Sequence, residues 1–235
     1  MRSGGASMKP RDGGQIQATT ESEIWEEAYQ NVRRSMGRRK QLLGFFDWIG
    51  EEKTVLDLGT GDGLDIQALE EMGHKRFIGF DISHNLLQDS PHKGVVGDAH
   101  KIPFRDGSID IVLANSVIHH FDFPRMASEI VRVLKPGGLF CYLEQRPTLA
   151  RSILDWFTMQ KWVGTIIPYL KHRRIALSEE IEDYAGGLEN YPNIARKLLE
   201  LGMVLEREKK TLLGVLAQWK KKAKVPGGFS QFNPD

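Results

Sequence analysis

Nine residues, Val55-Leu56-Asp57-Leu58-Gly59-Thr60-Gly61-Asp62-Gly63, constrain this chain more than any other stretch. An apolar run passes into three alternating glycines, and an amphipathic segment carrying Leu64, Ala68, Leu69 and Met72 follows at once. That is the order of a strand, a tight turn and a helix. Glycines at such a turn let a ligand approach the backbone closely, with a helix N-terminus pointing at it. A plain strand–helix turn would use the same residues, so the loop needs support from elsewhere. A dinucleotide loop would put its third glycine at position 64, which is leucine, and a Walker loop would need Gly-Lys-Ser/Thr. Asp57, Asp62 and Asp65 rim the turn. They would repel a pyrophosphate and attract a ligand carrying ammonium and sulfonium charges.

Downstream the pattern alternates. Short apolar runs at 54–58, 76–80, 94–97, 109–114 and 138–143 are separated by helical periods or loops. The clearest helix is 124–134, with Pro124 in its first turn and Ala127, Ile130, Val131 and Leu134 on one face. Lys135-Pro136-Gly137-Gly138 stops it. Two helices are expected before the first strand, one with Ile24, Trp25, Ala28, Tyr29 and Val32, the other with Leu42, Leu43, Phe45, Phe46 and Ile49. A helix at 194–201 and two strands near 204–211 and 215–220 close the pattern, the strands near enough to pair antiparallel. The expected fold is α/β: a Rossmann-like, doubly wound, mostly parallel seven-stranded sheet with a C-terminal antiparallel pair. Residues 147–190 break the rhythm and read as a helical insertion or lid after the fifth strand. Flexible tails are expected at 1–20 and 225–235, flanking a single domain at 21–224.

Composition narrows the function classes. Of the 235 residues 27% are charged, yet the formal net charge is +1, which gives no global field toward nucleic acid or anionic lipid. A single cysteine, Cys141, excludes an intramolecular disulfide and any multi-thiolate metal site, and it reads as a core residue. No metal ligand set is expected. The first twenty residues contain no apolar run, and no stretch approaches the roughly twenty apolar residues of a membrane span. A cytoplasmic protein is the expectation.

Two acids extend the first signal. Asp81 ends the second apolar run, where nucleotide-binding sheets grip a ribose diol, and a carboxylate can accept from both hydroxyls. Ile82 follows and would cover an adenine face. Asp81 or Ser83 would also suit a helix N-cap, and the roles are compatible. After the third run, Gly97-Asp98-Ala99 offers a carboxylate and a backbone N–H to an adenine edge. An acid before a turn is also common without any ligand.

The strings VLDLGTGDG (55–63), GFDIS (79–83), GDAHKIPF (97–104), DGSIDIVLANSVIHHF (106–121) and EIVRVLKPGGLF (129–140) together resemble the class I S-adenosylmethionine-dependent methyltransferases. More narrowly the chain is similar to the group that contains ubiquinone/menaquinone and other small-molecule methyltransferases. The resemblance implies S-adenosyl-L-methionine as methyl donor and S-adenosyl-L-homocysteine as product. It implies that Asp57, Gly59, Thr60 and Gly61 line the methionine part and that Gly63 aids the turn. It further implies Asp81 on the ribose, Ile82 on the adenine, and Asp98 and Ala99 at its edge. Asn115 and Ser116 would sit beside the transferred methyl, and Tyr29 and Arg33 would close over the donor carboxylate.

Methyl transfer from a sulfonium is an in-line displacement, so alignment carries most of the catalysis. A base matters only when the acceptor must lose a proton. His119, His120 and Glu144 are the candidates. The histidines could equally shape the donor site, and Glu144 could simply pair with Arg146. Trp156, Phe157, Trp162, Ile166 and Ile167 in the insertion fit a lid over an apolar or aromatic small-molecule acceptor. They would also serve as plain packing, or as a membrane-surface contact near Lys161, Lys171, Arg173 and Arg174. A rival reading is methylation of a tRNA wobble uridine, which SVIHHF and Glu144-Gln145 also resemble. Basic clusters at Arg33-Arg34, Arg38-Arg39-Lys40, Lys171 to Arg174 and Lys220 to Lys224 would then meet phosphates. A non-catalytic donor-binding scaffold is the third reading. Oligomeric state is open. Replacing Asp81 with alanine is expected to weaken donor binding by about 1.5–3 kcal/mol in calorimetry, because the ribose loses a charged acceptor. Unchanged affinity in a folded variant would remove Asp81 from that role.

Overall fold

The computed structural model describes residues 36–46, 52–92, 94–146, 148–160, 193–212 and 214–223. Seven strands make one sheet: β1 (Val55–Leu58), β2 (Phe77–Asp81), β3 (Gly94–Val96), β4 (Ile109–Asn115), β5 (Leu134–Gln145), β6 (Met203–Lys210) and β7 (Gly214–Lys221). Their order is β3-β2-β1-β4-β5-β7-β6. The pairs among β1 to β5 are parallel, whereas β7 pairs antiparallel with both β5 and β6. The expected α/β sheet with its antiparallel end is what the chain forms. The helices are α1 (Met36–Leu43), α2 (Leu64–Glu71), α3 (His84–Asp89), α4 (Phe123–Val133), α5 (Leu149–Met159) and α6 (193–200), with a 3₁₀ turn at Ile118–His120.

Alternation along the strands divides the core in two, because successive side chains point to opposite faces. Leu56, Leu58, Val112, Ala114, Phe140, Tyr142, Ala217 and Trp219 face one way and pack with Met126, Ala127, Ile130 and Val133 of α4. Val55, Ile111, Leu113, Leu139, Cys141 and Leu143 face the other, with Leu43 and Phe46 at α1 and Ala68 and Leu69 of α2. Cys141 is thus a core residue. Arg132 of α4 reaches the carbonyls of Ile102 and Phe104 at 2.7 and 2.8 Å, which pins the loop before β4.

Two differences from the expected elements have local causes. β5 begins at Leu134 rather than 138, because Leu134 pairs with Ile109 before a register shift lets Leu139 pair with Ile111. The Lys-Pro-Gly-Gly helix stop is therefore also a bulge. A Cβ at Gly138 would lie 2.9 Å from the carbonyl oxygens of both Asp110 and Lys135. The helix expected near 42–49 runs instead over α1 and ends at Leu43. Phe45 and Phe46 donate to the carbonyls three residues back at 3.1 and 3.0 Å, tightening the chain out of the helix. Of the two N-cap candidates the sequence offers, Ser83 caps α3, its hydroxyl accepting from the Leu86 N–H at 3.3 Å. The expected helix bearing Tyr29 and Arg33, both tails and most of the insertion (161–192) lie outside the described residues. Among the described residues no helix is long and apolar enough to cross a membrane.

At the end of β3, a Cβ on Gly97 would come 2.7 Å from the Phe80 ring. Gly97→Ala is expected to cost about 1–3 kcal/mol by overpacking, measured by urea unfolding. Adding Phe80→Leu should recover part of that loss; no recovery would point to a backbone cause instead.

Candidate functional site

In the parallel part of the sheet every carboxyl end lies along one edge. The chain winds outward from β1 through β2 to β3 and then returns to β4 on the other side of β1. The gap between the ends of β1 and β4 is therefore the switch point at which open α/β sheets bind ligands.

The loop after β1 fills that gap. Gly59, Gly61 and Gly63 have φ of 74°, 55° and 83°, a region that side chains disfavour. Gly59 answers a packing need, since a Cβ there would overlap the Val117 side chain. Backbone N–H groups of Gly59 and Thr60 donate to the Phe80 carbonyl at 2.8 and 3.1 Å. Asp81 completes the fastening: one carboxylate oxygen accepts from the Gly61 N–H at 2.9 Å and the other from the Ser83 N–H at 2.8 Å. Next to it Ile82 stands 69% exposed, an apolar side chain left open at the sheet edge.

Gly97 N–H donates to the Asp81 carbonyl at 2.9 Å, which brings the Gly97-Asp98-Ala99 turn against the end of β2. Ala99 is buried. Asp98 is exposed, and one of its oxygens accepts from the His100 backbone N–H at 2.8 Å and faces His100 Nδ1 at 2.7 Å. The backbone bond, followed by the imidazole contact, holds its carboxyl below the ordinary range.

Asp57 and Thr60 turn toward each other within the loop, with the hydroxyl donating at 2.6 Å, and both are buried. Burial pushes the Asp57 carboxyl up to about 8, and the neighbouring Asp65 adds to the shift. The Thr60 bond and Arg39 oppose it. Asp65, in the first turn of α2, is buried too. It accepts from Asn115 Nδ2 at 3.1 and 2.9 Å and forms an ion pair with Arg39 of α1. Asn115 Oδ1 in turn accepts from the Ser116 hydroxyl at 3.2 Å. Ser116 itself has φ 54°, a strained value for a non-glycine residue, at the tip of β4.

Glu144 lies at the end of β5. Its oxygens accept from the Ile118 N–H at 3.0 Å and the Gln145 N–H at 2.8 Å, and His119 Nδ1 stands 3.0 Å away. A carboxylate so placed favours a hydrogen on Nδ1. His120 packs against His119 with the rings tilted by 43° and their centroids 4.1 Å apart. Arg146 Nη1 donates to the Thr211 carbonyl at 3.3 Å.

The fold thus gathers Asp57, Gly59, Thr60, Gly61, Asp81, Asn115 and Ser116 around one mouth, with His119 and Glu144 beside it. Tyr29 and Arg33 fall outside the described residues. Sequence reasoning missed Arg39 and Asp65 as a pair. Asp65 was visible as part of an acidic rim, while Arg39 sat in a basic run that suggested phosphate contact. Much of the described basic charge is engaged within the fold. Lys40 pairs with Glu71, Lys220 with Glu206 at 3.0 Å, and Lys221 donates to the carbonyls of Val131 and Leu134.

Known proteins match this arrangement. Residues 56–142 match a family described as a methyltransferase domain. The chain is 31% identical over 183 residues to a demethylmenaquinone methyltransferase of Symbiobacterium thermophilum, covering 69% of this chain and 73% of that one. It is 30% identical over 141 residues to a tRNA (carboxymethyluridine(34)-5-O)-methyltransferase of Arabidopsis thaliana, covering 53% of this chain but 33% of that one. In fold it is similar to a SAM-dependent methyltransferase from Aquifex aeolicus, with a TM-score of 0.55, 16% identity and 84% and 97% of the two chains covered.

The raised Asp57 carboxyl has a stability consequence. Between its ordinary 3.8 and about 8 the folded protein holds a proton that the unfolded chain releases. Stability therefore falls as pH rises through that window. Asp57→Asn should flatten the slope between pH 5.5 and 8 in thermal unfolding. An equally steep slope in the variant would assign the effect to other groups.

Proposed function

This chain belongs to the class I S-adenosylmethionine-dependent methyltransferases, and we propose that its methyl acceptor is a small apolar or aromatic molecule that enters between the ends of β4 and β5 and helix α5. The observation that carries the proposal is a stripe on α5. Leu149, Ile153 and Trp156 are 78%, 58% and 67% exposed, and their spacing of i, i+4, i+7 puts them on one face. The helix starts four residues past the carboxyl end of β5 and is tied down where Thr148 donates to the Leu212 carbonyl at 2.7 Å. An exposed apolar face beside a polar donor site suits an acceptor with a broad apolar surface.

The residues at the mouth fit the donor. A buried acid held protonated by its surroundings is relieved when a cationic ligand arrives, which suits a sulfonium and an ammonium better than a phosphate. When bound, the donor supplies a methyl group on a positively charged sulfur. In this reading Asp81 would hold the ribose hydroxyls while keeping Gly61 and Ser83 in place. Ile82 and Ala99 would flank the adenine, and Asp98 would accept from its amino group. Asn115 and Ser116 would border the transferred methyl. His119, with its proton on the Glu144 side, would present Nε2 as the base where the acceptor must lose a proton. The similarity to a demethylmenaquinone methyltransferase over 73% of that protein supports an acceptor of this kind. The tRNA relative is matched over 33% of its length, and Arg39 and Lys40 are already paired with acids.

The test is methyl-labelled donor with a panel of alkylated hydroquinones, simple phenols and bulk tRNA. Label is expected in the apolar phenolic compounds. Trp156→Ala should raise KM for them about tenfold or more, in line with about 1.5–3 kcal/mol for a buried apolar side chain, at unchanged affinity for S-adenosyl-L-homocysteine. Label in tRNA alone would sink the proposal.

A further inference from the structure

Gln145 closes β5, directly after Glu144. The residue is half-buried, yet its carboxamide oxygen is fully buried and has no hydrogen-bond partner among the described residues. Buried polar atoms are nearly always paired, and one left alone lowers the stability of the fold. The backbone around it is held in place. Its N–H donates to Glu144 Oε1 at 2.8 Å, and it pairs across the antiparallel ladder with Gly214 of β7. Gly214 brings no side chain to that position, and a Cβ there would come 2.8 Å from the Glu144 carbonyl oxygen.

Alternation along β5 places the side chain. Cys141 and Leu143 belong to the core on the α1 and α2 side of the sheet, and Tyr142 belongs to the other. Gln145 therefore shares a face with Leu143, and Glu144 shares one with Tyr142. Leu143 is the register partner of Asn115, which follows Leu113 on that same α1 and α2 side. Gln145 thus stands two residues beyond the level of Asn115, on the neighbouring strand and the same face. Glu144, with His119 Nδ1 at 3.0 Å, serves the opposite face.

We infer that Gln145 is a specificity residue for the methyl acceptor, its carboxamide oxygen accepting a hydrogen bond from a neutral hydroxyl that the reaction leaves in place. The oxygen is uncharged and offers lone pairs only, so it selects a donor and gains nothing from a carboxylate or a phosphate. It lies on the face away from Glu144 and His119, so the hydroxyl it holds is not the group that would yield a proton there. An acceptor that fits carries such a hydroxyl on its apolar body. A wholly hydrocarbon one leaves the oxygen unpaired, and a site built around a hydroxyl rejects the analogue that lacks it. The inference rests on the acceptor reading given above and adds the polar half of that molecule.

The test uses an alkylated hydroquinone and its monomethyl ether, which keeps one hydroxyl and caps the other. The parent protein should prefer the hydroquinone in kcat/KM. Gln145→Met, apolar and of similar length, should raise KM for the hydroquinone on the order of three- to tenfold, the range of one net hydrogen bond. It should also narrow the preference over the ether toward one. Affinity for S-adenosyl-L-homocysteine should stay within about twofold by calorimetry, which also reports that the variant is folded. Without ligands Gln145→Met should melt about 2–4 °C higher, because the unpaired oxygen is gone. Gln145→Glu keeps an accepting oxygen at the same reach and should keep the preference for the free hydroxyl. An unchanged preference in Gln145→Met, or equal losses on hydroquinone and ether, would overturn the inference. Lower melting points in both Gln145→Met and Gln145→Leu would overturn it too, by showing the oxygen to be satisfied already. Failure of the parent protein to label either compound while it binds S-adenosyl-L-homocysteine would instead remove the acceptor reading, and the inference with it.

Discussion

β1 is four residues long, each of its side chains is buried, and it has a parallel neighbour on either side. Leu58 pairs with Phe80 on one side and Ala114 on the other, so the next residues along each strand, Gly59, Asp81 and Asn115, emerge at the same level. Every feature of the site follows from that shared level. The loop can be fastened to Asp81 only because the register places Gly61 within reach. Asn115 can hold Asp65 only because β4 ends beside the first turn of α2.

The electrostatics of the mouth point in one direction. Acids crowd together there: Asp57 inside the loop, Asp65 on α2 and Asp81 on β2. A protein that folds around such a cluster loses stability unless protons, hydrogen bonds or a cation compensate. Here burial and Asp65 push the Asp57 carboxyl toward its protonated form, backbone N–H groups donate to Asp81, and a guanidinium stands at Asp65. A site tuned in this way is ready for positive charge, which agrees with the sulfonium donor of the family. The proposed acceptor side differs in character. Glu144 is satisfied by backbone and imidazole donors, and the neighbouring surface of α5 is apolar.

Much of this could be read from the residues in order. Short continuous apolar runs marked the strands, and the stop after α4 was clear from Pro136 and the glycines. The antiparallel ending followed from two short strands separated by a few residues. What failed was boundary placement: α1 lies earlier than its apolar spacing suggested, because the side chains that face the core, Leu43 and Phe46, straddle the helix end. The bulge at 135–138 was also invisible, since a helix stop and a strand irregularity use the same residues.

The sequence alone determined that a strand, a glycine turn and a helix would follow one another, and that acids would cluster near the turn. It did so because those are short-range matters of backbone freedom and alternation. Only the tertiary structure decided which groups meet: Arg39 with Asp65, Asn115 with Asp65 across 50 residues, Val117 against Gly59, and Glu144 under Ile118. All but the first cross a helical connection between parallel strands. Sheet register fixes their geometry, and no spacing along the chain can announce them.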